Sequence, residues 1–366
     1  MAEIRIIITG GGTGGHLFPA LAIGEEIKRR YNDAKIHYIG SLFGLESKVF
    51  PIKDVIHTLI PIRGIQRNLN LNSILKNLYL PIHILYSIIK VRSLINKFSP
   101  QIIIGTGGYA SAIPILIASR KSHPPSIFLQ EQNSFPGLTN RLFSNKAKFT
   151  CTAFNEADKF LKSKTILTGN PIRKDISHGD YNHALNHYKF KKNRKTIFVF
   201  GGSQGSSFLN MIINKMILKI SESDIQIIWQ TGDKEYLKYK NQMTDRIHIV
   251  PFIHNMADAY SIADLIISRS GALTLSEITV CGKPAILVPL PSSAGNHQLK
   301  NALVLKNRGA AYLIQEKSIK INSFYNTILN LLNNDIELKS MSLASKALGK
   351  PNSTNEIVDQ IFKVVK

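Results

Sequence analysis

The 366-residue chain carries 46 Lys and Arg against 24 Asp and Glu, a formal net charge of +22, and 44% of its residues are hydrophobic. That hydrophobic share suits a packed core and excludes a disordered chain, and the length predicts two domains. The longest strongly apolar window, LYLPIHILYSII at 78–89, is broken by Pro81 and His83 and falls short of the roughly 20 residues a membrane-spanning helix needs.

In chain order, the first element is the strand IRIIITG, which lacks the apolar core and cleavage site of a secretion signal. It runs into GGGTGGHLFPALAI, a glycine loop that opens a helix. Residues 10–15 match G-x-G-x-x-G, a spacing that allows tight turns and aims helix-start N–H groups at an anion. A phosphate loop ending in Lys and Ser or Thr loses support, because His16 and Leu17 follow the last glycine. A dinucleotide site also loses support: the second strand, KIHYIGS, ends in Gly40 and Ser41 where an acid would grip a ribose. Two readings of His16 stay open, a helix-start residue bonded to backbone or a general base beside a bound hydroxyl.

No acidic residue lies between Asp54 and Glu131, while Arg63, Arg67, Lys76, Lys90, Arg92, Lys97, Arg120 and Lys121 fall there. Such a stretch carries positive potential and attracts phosphates, nucleic acid or acidic lipid. Within it, residues 71–98 read as helical, with Ile84, Ile88, Val91, Ile95 and Phe98 on a core-facing stripe. Leu75, Leu78, Tyr79 and Leu80, near Pro81, belong either to that core or to an exposed apolar tip beside Lys76. The strand PQIIIG then leads into a second glycine loop, GTGGYAS at 105–111, and the strand PSIFLQEQN follows.

A linker is expected near LTGNPIRKD, where Arg173 follows a turn as a candidate phosphate neutraliser. The second half repeats the plan: TIFVF runs into GGSQGS, and IQIIWQTG, RIHIVPF, DLIISRSG and PAILVPL alternate with helical periods. Strands that are apolar throughout are buried on both faces, as in the parallel sheets of α/β domains. Three glycine loops therefore stand at strand C-terminal ends, where open α/β sheets bind ligands. In SRSGALTLSE, Ser270 is expected to cap a helix and Thr274 with Glu277 to form a capping box. The sharper reading makes Glu277 a two-oxygen acceptor for ribose hydroxyls, with the N–H groups of Gly271, Ala272 and Leu273 near a pyrophosphate. GNHQLKNA offers Gln298 and Asn301 to sugar hydroxyls. The closing segment STNEIVDQIFKVVK has Ile357, Ile361, Val364 and Val365 at helical spacing, with Ser353 or Thr354 as cap, and is expected to pack back elsewhere. Cys151 and Cys281 stand far apart, which points to reduced, core-type thiols, and no metal-ligand spacing occurs.

Taken together and in this order, TGGGTGGHLFPALAI, GTGGYASAIP, EQNSFPGLTNR, TGNPIR, GGSQGS, MADAYSIADLIISRSGALTLSEI and HQLKNA resemble one family across nearly the whole chain. It is the MurG-type undecaprenyldiphospho-muramoylpentapeptide β-N-acetylglucosaminyltransferases of peptidoglycan synthesis. The resemblance implies an α/β glycosyltransferase-B fold, two Rossmann-like domains facing across a cleft. Residues 1–168 would form the acceptor and membrane-side domain, joined by a returning helix at about 352–366, and 169–351 the UDP-GlcNAc-binding domain. The implied reaction is inverting transfer of GlcNAc from UDP-GlcNAc to the muramoyl O4 of lipid I, giving lipid II, with no cofactor and no metal. Cell wall biogenesis, cell shape and cell division would depend on it.

By matched motif, the implied substrate contacts are Thr13, Gly14, Gly15, Asn133, Arg173, Ser203, Ile253, Ala272, Leu273, Thr274, Leu275, Ser276, Glu277 and Gln298. Ile253 would meet uracil through its backbone, Glu277 the ribose and Gln298 the sugar. His16 is the implied base, with Glu131 and Tyr109 as lesser candidates, and Gly12, Gly107, Gly108 and Tyr109 would hold the acceptor diphosphate. The basic region at about 63–97 would rest on the anionic inner leaflet, making the protein peripheral to the cytoplasmic side of the inner membrane. Nucleic acid is not an expected partner, because aromatic residues do not interleave with the basic ones in an RNA-binding pattern. The sequence departs from the family in two places. Leu129 and Gln130 stand where members often carry His before EQN, and Leu299 and Lys300 follow Gln298 where aromatics are common. Two alternatives remain from the residues: a UDP-GlcNAc epimerase of the same architecture, which would not need a basic, lipid-facing first domain, and a non-catalytic sugar-nucleotide or membrane-binding protein.

Overall fold

The computed structural model describes residues 3–64 and 77–365. The chain divides into two compact units, one of Met1–Pro171 with Asn352–Lys366 and one of Ile172–Pro351.

In the first unit, β1 (Arg5–Thr9), β2 (Lys35–Ser41), β3 (His57–Ile60), β4 (Ile102–Gly105), β5 (Ser126–Glu131), β6 (Phe149–Thr152) and β7 (Thr165–Leu167) form a sheet in the order β3-β2-β1-β4-β5-β6-β7. Each neighbouring pair is parallel. Ile6, Ile7 and Ile8 in β1 and Ile102, Ile103 and Ile104 in β4 are buried, because helices cover both faces of these strands. The strand order reverses between β1 and β4, and the register sets Thr9 opposite Ile39 on one side and Gly105 on the other. The loops that follow β1 and β4 therefore leave the sheet side by side. Gly11 N donates to Gly107 O at 3.2 Å, and a Cβ on Gly108, whose φ is 80°, would stand 2.0 Å from Gly11 O. Only glycine fits that crossing.

In the second unit, β8 (Lys195–Phe200), β9 (Ile225–Gln230), β10 (Ile247–Val250), β11 (Leu265–Ser268), β12 (Ala285–Leu287) and β13 (Ala311–Leu313) make a second parallel sheet in the order β10-β9-β8-β11-β12-β13. Here the order reverses between β8 and β11, with Phe200 opposite Gln230 and Ser268. Trp229 is fully buried, and its indole N–H is satisfied by Asn210 Oδ1 at 2.9 Å. Strands β3, β6, β7 and β13 go beyond those read from the sequence. They are three or four residues long; β3, β6 and β7 include His, Thr or Cys and so lack an apolar run, while β13 is a short AYL segment soon after a helix.

The helix Ser353–Val365 belongs to the first unit. Ile357, Val358, Ile361 and Phe362 enter the core that holds Leu17, Ile23 and Ile27, and Phe362 stacks on Tyr31 at 4.1 Å. Each such side chain contributes about 1.5–3 kcal/mol of burial. An Arg30–Asp359 ion pair at 2.5 Å flanks the contact. The expected face is corrected at Val364, which is 49% exposed, because Phe362 takes the inward position. The helix begins at Ser353, so Ser353 and Thr354 lie inside it rather than capping it.

Candidate functional site

In the first unit the chemistry gathers at the C-terminal ends of β1, β4 and β5. The helix Gly14–Arg30 starts with Thr13 as N-cap and no side-chain cap, while Gly12, Thr13 and Gly15 are exposed. His16 stands in its first turn, half-buried, with Nδ1 at 3.0 Å from Thr106 O and 2.8 Å from Gln132 Oε1. Both partners are acceptors, so Nδ1 carries a proton, and in the neutral ring the lone pair lies on Nε2. Thr106 returns a bond from its Oγ1 to His16 O at 2.8 Å, tying the loop after β4 to the helix start.

Several expectations are corrected here. Glu131 is fully buried, and its oxygens accept from Asn133 N at 2.9 Å, Asn133 Nδ2 at 3.2 Å, Gly137 N at 3.0 Å and Asn140 Nδ2 at 2.8 Å. A carboxylate so occupied clamps the loop 133–140 and has no site left for a substrate proton, which removes it as a base. Gly107 is buried, and its carbonyl is bonded to Gly11, so it joins the two loops and does not face an anion. Gly12 N already donates to Glu46 Oε1 at 2.5 Å. Gly108 is half-buried, and Tyr109 is 53% exposed at the head of the helix Tyr109–Ser119.

Glu46 escaped the sequence reading. It is fully buried among Gly11, Gly40 and Gly44, positions where a Cβ would collide with it. Burial pushes its carboxyl above the usual range, opposed by backbone N–H groups including that of Gly12. Its Oε2 has no hydrogen-bond partner among the described residues. The sequence signal was faint: one acid in a short turn, LFGLES, after an apolar strand.

In the second unit, the helix Ala272–Val280 follows β11 directly, with Gly271 as N-cap and no side-chain cap. The cap and capping box expected here are both absent. Ser270 Oγ donates to Gln298 O at 2.8 Å, and Thr274 lies already in the helix. Glu277 is half-buried one turn on and accepts from Tyr260 O–H at 3.2 Å. Desolvation raises the Glu277 pKa, while the charge of Arg173 and the Tyr260 hydrogen bond pull it down. Burial, reinforced by the Glu277 charge, lifts the Tyr260 phenol well above its ordinary value, so it remains a donor. Cys281 donates to Ile176 O at 3.3 Å and is pushed up to about 12 by burial, which keeps it an unreactive thiol.

Gln298 Oε1 accepts from Leu290 N at 2.9 Å, which leaves its amide Nε2 as the donor end. Asn301 is fully buried and Leu275 is 1% exposed, so neither side chain faces a ligand. Ile253 N is taken by Gln230 Oε1 at 2.8 Å, leaving only its carbonyl for a base. Ser203 is exposed in the loop 201–206, Ala272 is buried, and Leu273, Thr274 and Ser276 are half-buried. Gln230 also donates to Gly202 O at 3.0 Å and so ties that loop to Ile253. Arg269, 7% exposed, bonds Ser206 Oγ, Val288 O, Pro289 O and Glu316 Oε1 and pins three loops together. Neither residue was singled out from sequence, although a polar residue ending or just following an apolar strand marks both.

The sequence-named residues thus fall into two groups. Thr13, Gly14, Gly15, His16, Tyr109, Glu131 and Asn133 lie in the first unit, and Arg173, Ser203, Ile253, 272–277 and Gln298 in the second. Among the described residues no group of three His, Cys, Asp or Glu has a metal-binding arrangement.

The helix Leu80–Phe98 buries Ser87, Val91 and Ile95, with Ile88 and Phe98 packed beside them. Ile84, expected in the core, is 37% exposed. Leu78, Ile82, Leu85 and Ile89 are 60–71% exposed, and with Tyr79 and Tyr86 they make an outward apolar stripe. Lys90 reaches Leu59 O at 3.1 Å beside the Tyr86 ring, and Arg63 covers Phe43 at 4.4 Å. Leu75, Lys76 and Arg67 lie outside the described residues. Among those described, no helix is long and apolar enough to cross a membrane.

Residues 6–152 match the glycosyltransferase family 28 N-terminal domain, and residues 196–360 match the glycosyltransferase family 28 C-terminal domain. The UDP-N-acetylglucosamine–N-acetylmuramyl-(pentapeptide) pyrophosphoryl-undecaprenol N-acetylglucosamine transferase of Christiangramia forsetii is 38% identical over 365 residues, 99% of this chain and 98% of that one. Among solved structures, Acinetobacter baumannii MurG superposes with a TM-score of 0.79 at 27% identity, covering 99% of each chain. The UDP-GlcNAc 2-epimerase of Neisseria meningitidis reaches 0.63 at 14% identity over 98% of this chain and 100% of that one, a likeness of fold alone.

Proposed function

Because this chain belongs to glycosyltransferase family 28, among the transferases that join N-acetylglucosamine to the undecaprenol-linked muramyl pentapeptide, we propose that it transfers GlcNAc from UDP-GlcNAc to the muramoyl O4 of lipid I, releasing lipid II and UDP. The anomeric centre inverts in one displacement. The acceptor oxygen bonds to the anomeric carbon, the bond from that carbon to the UDP oxygen breaks, and its electron pair leaves with the diphosphate. The hydroxyl proton goes to His16 Nε2. The observation that carries this role is the pair of acceptors on Nδ1, which in the neutral imidazole places the lone pair on the other nitrogen. A positioned base of this kind supplies about 10²–10⁴-fold in rate.

The second unit holds the donor in this reading. Glu277 accepts from the ribose hydroxyls, the Ile253 carbonyl from the uracil N–H, and Gln298 Nε2 donates to the sugar. The N-terminal end of the helix Ala272–Val280 and the Arg173 guanidinium take up charge on the departing diphosphate, so no step calls for a metal or cofactor. Thr13, Gly14, Gly15, Asn133, Ser203, Leu273, Thr274 and Ser276 are the remaining substrate contacts in this reading, and Gly108 and Tyr109 meet the acceptor diphosphate. Positive potential over residues 63–97 and the apolar stripe of Leu78, Ile82, Leu85 and Ile89 hold the protein on the cytoplasmic face of the inner membrane, at about 1 kcal/mol per basic residue near anionic lipid.

The test is incubation with labelled UDP-GlcNAc and a short-chain lipid I analogue in the presence of EDTA. Disaccharide-linked product and stoichiometric UDP are expected. Conversion of the donor to another hexosamine without an acceptor would replace the transferase by an epimerase, and loss of turnover with EDTA would overturn the metal-free mechanism.

A further inference from the structure

Behind His16 lies a chain of buried side-chain amides whose directions can be worked out, because it is anchored on backbone carbonyls, which only accept. Gln130, Gln132 and Asn170 are each no more than 1% exposed. Asn170 Nδ2 donates to Gln132 O at 3.1 Å, which turns its Oδ1 toward Gln130. Gln130 Nε2 donates to that Oδ1 at 2.9 Å, which turns Gln130 Oε1 toward Gln132. Gln132 Nε2 donates to Gln130 Oε1, to Thr106 O at 2.8 Å and to Gln130 O at 3.2 Å. Both its donor hydrogens are therefore used, and Gln132 Oε1 has to face His16 Nδ1, at 2.8 Å. None of the buried carboxylates described in this unit, Glu26, Glu46 and Glu131, bonds the ring.

We propose that Gln132 is the positioning residue of His16: the directed chain Asn170–Gln130–Gln132 holds the imidazole in its Nδ1–H form with Nε2 unprotonated and aimed outward. The inference rests on the reading of His16 as base, and it adds what sets that base. A reversed amide at any link would present N–H to N–H, which a dry interior penalises. A neutral amide also differs in kind from a carboxylate partner. It fixes the tautomer while stabilising the imidazolium less than a charged carboxylate would. Gln130 is the middle link and supplies both a donor and an acceptor in line.

The test reads His16 directly, by nitrogen NMR of the histidine-labelled full chain, with the resonance assigned by its loss in His16→Gln. In the unaltered protein, His16 is expected as a single Nδ1–H tautomer, and an Nε2–H signal would overturn the proposal without any variant. Gln132→Glu puts a charge on the same acceptor and is expected to raise the His16 titration midpoint by about one pH unit or more. Gln132→Met removes the acceptor and is expected to lower kcat on the order of 10²-fold with KM for UDP-GlcNAc unchanged, a loss that Gln132→Glu recovers at high pH. A raised midpoint with a matching upward move of the acid limb of kcat/KM supports both proposal and base. A raised midpoint with an unmoved limb leaves the positioning intact and removes His16 as the base. An unmoved midpoint in Gln132→Glu overturns the positioning.

Discussion

Replacing Glu277 by Gln asks whether a carboxylate shielded from water is kept there to bind two hydroxyls. Gln preserves shape and leaves Tyr260 an acceptor in place of the one it bonds at 3.2 Å. What disappears is the charge, and with it the charge-assisted part of two ribose hydrogen bonds and the attraction of Arg173. Hydrogen bonds to a charged group contribute about 1.5–3 kcal/mol each and neutral ones about 1, so the change removes roughly 1–4 kcal/mol of UDP binding, or about 5- to 10³-fold in Kd. Titration calorimetry with UDP measures this, and thermal unfolding without ligand measures the fold. The two respond in opposite directions to pH. The folded protein holds the Glu277 proton to higher pH than the unfolded chain does, so this group favours folding as pH falls through its raised pKa and opposes it above. In the proposed contact the ribose hydroxyls donate to the ionised form, so UDP affinity is expected to fall over that same descent. Glu277→Gln is expected to weaken UDP, to remove this acid-side change in affinity, and to unfold no earlier than the parent protein at neutral pH. An unchanged Kd, or a loss of affinity that merely tracks a lowered Tm, would refute the reasoning.

His16→Ala is expected to cut turnover by about 10²–10⁴-fold while calorimetry finds UDP bound as before; unaltered turnover removes His16 from the chemistry. Gly108→Ala, which drives a methyl group to within 2.0 Å of Gly11 O at a φ of 80°, is expected to raise KM for the lipid I analogue and leave UDP binding alone. Steady-state kinetics with each substrate varied in turn separates the two effects. Co-sedimentation is expected to show binding to vesicles rich in anionic lipid that weakens with salt, and Ile82→Glu with Leu85→Glu to abolish it while activity on a short-chain soluble acceptor persists. Equal binding to neutral vesicles counts against the electrostatic part of that picture.

Long, uninterrupted runs such as IRIIITG and TIFVF announced central parallel strands, because a strand covered on both faces has no polar position to spare. The edge of the first sheet was harder to read: Thr165–Leu167 and Phe149–Thr152 carry no such run, and their pairing depends on neighbours already in place. The same division holds in the site. His16 and Glu277 stood out as titratable groups beside glycine loops or helix starts. Glu131 looked like a second base until its four donors were seen, and Gln132, Gln230 and Tyr260 gave no sign of their partners. Local spacing tells which residues share a loop or a helix face. It does not tell which buried oxygen meets which N–H group across tens of residues.

The order of residues by itself determined two successive α/β halves, glycine loops at strand ends, and the motif set that marks the family, since each is written in neighbouring positions and in the one-dimensional rhythm of burial. Tertiary structure alone decided that Ile82, Leu85 and Ile89 turn outward, that Glu131 is spent on the loop 133–140, and that Gln132 faces the imidazole. Those outcomes depend on the competition for a finite core and a finite set of buried hydrogen-bond partners, which is settled only when all the elements have packed.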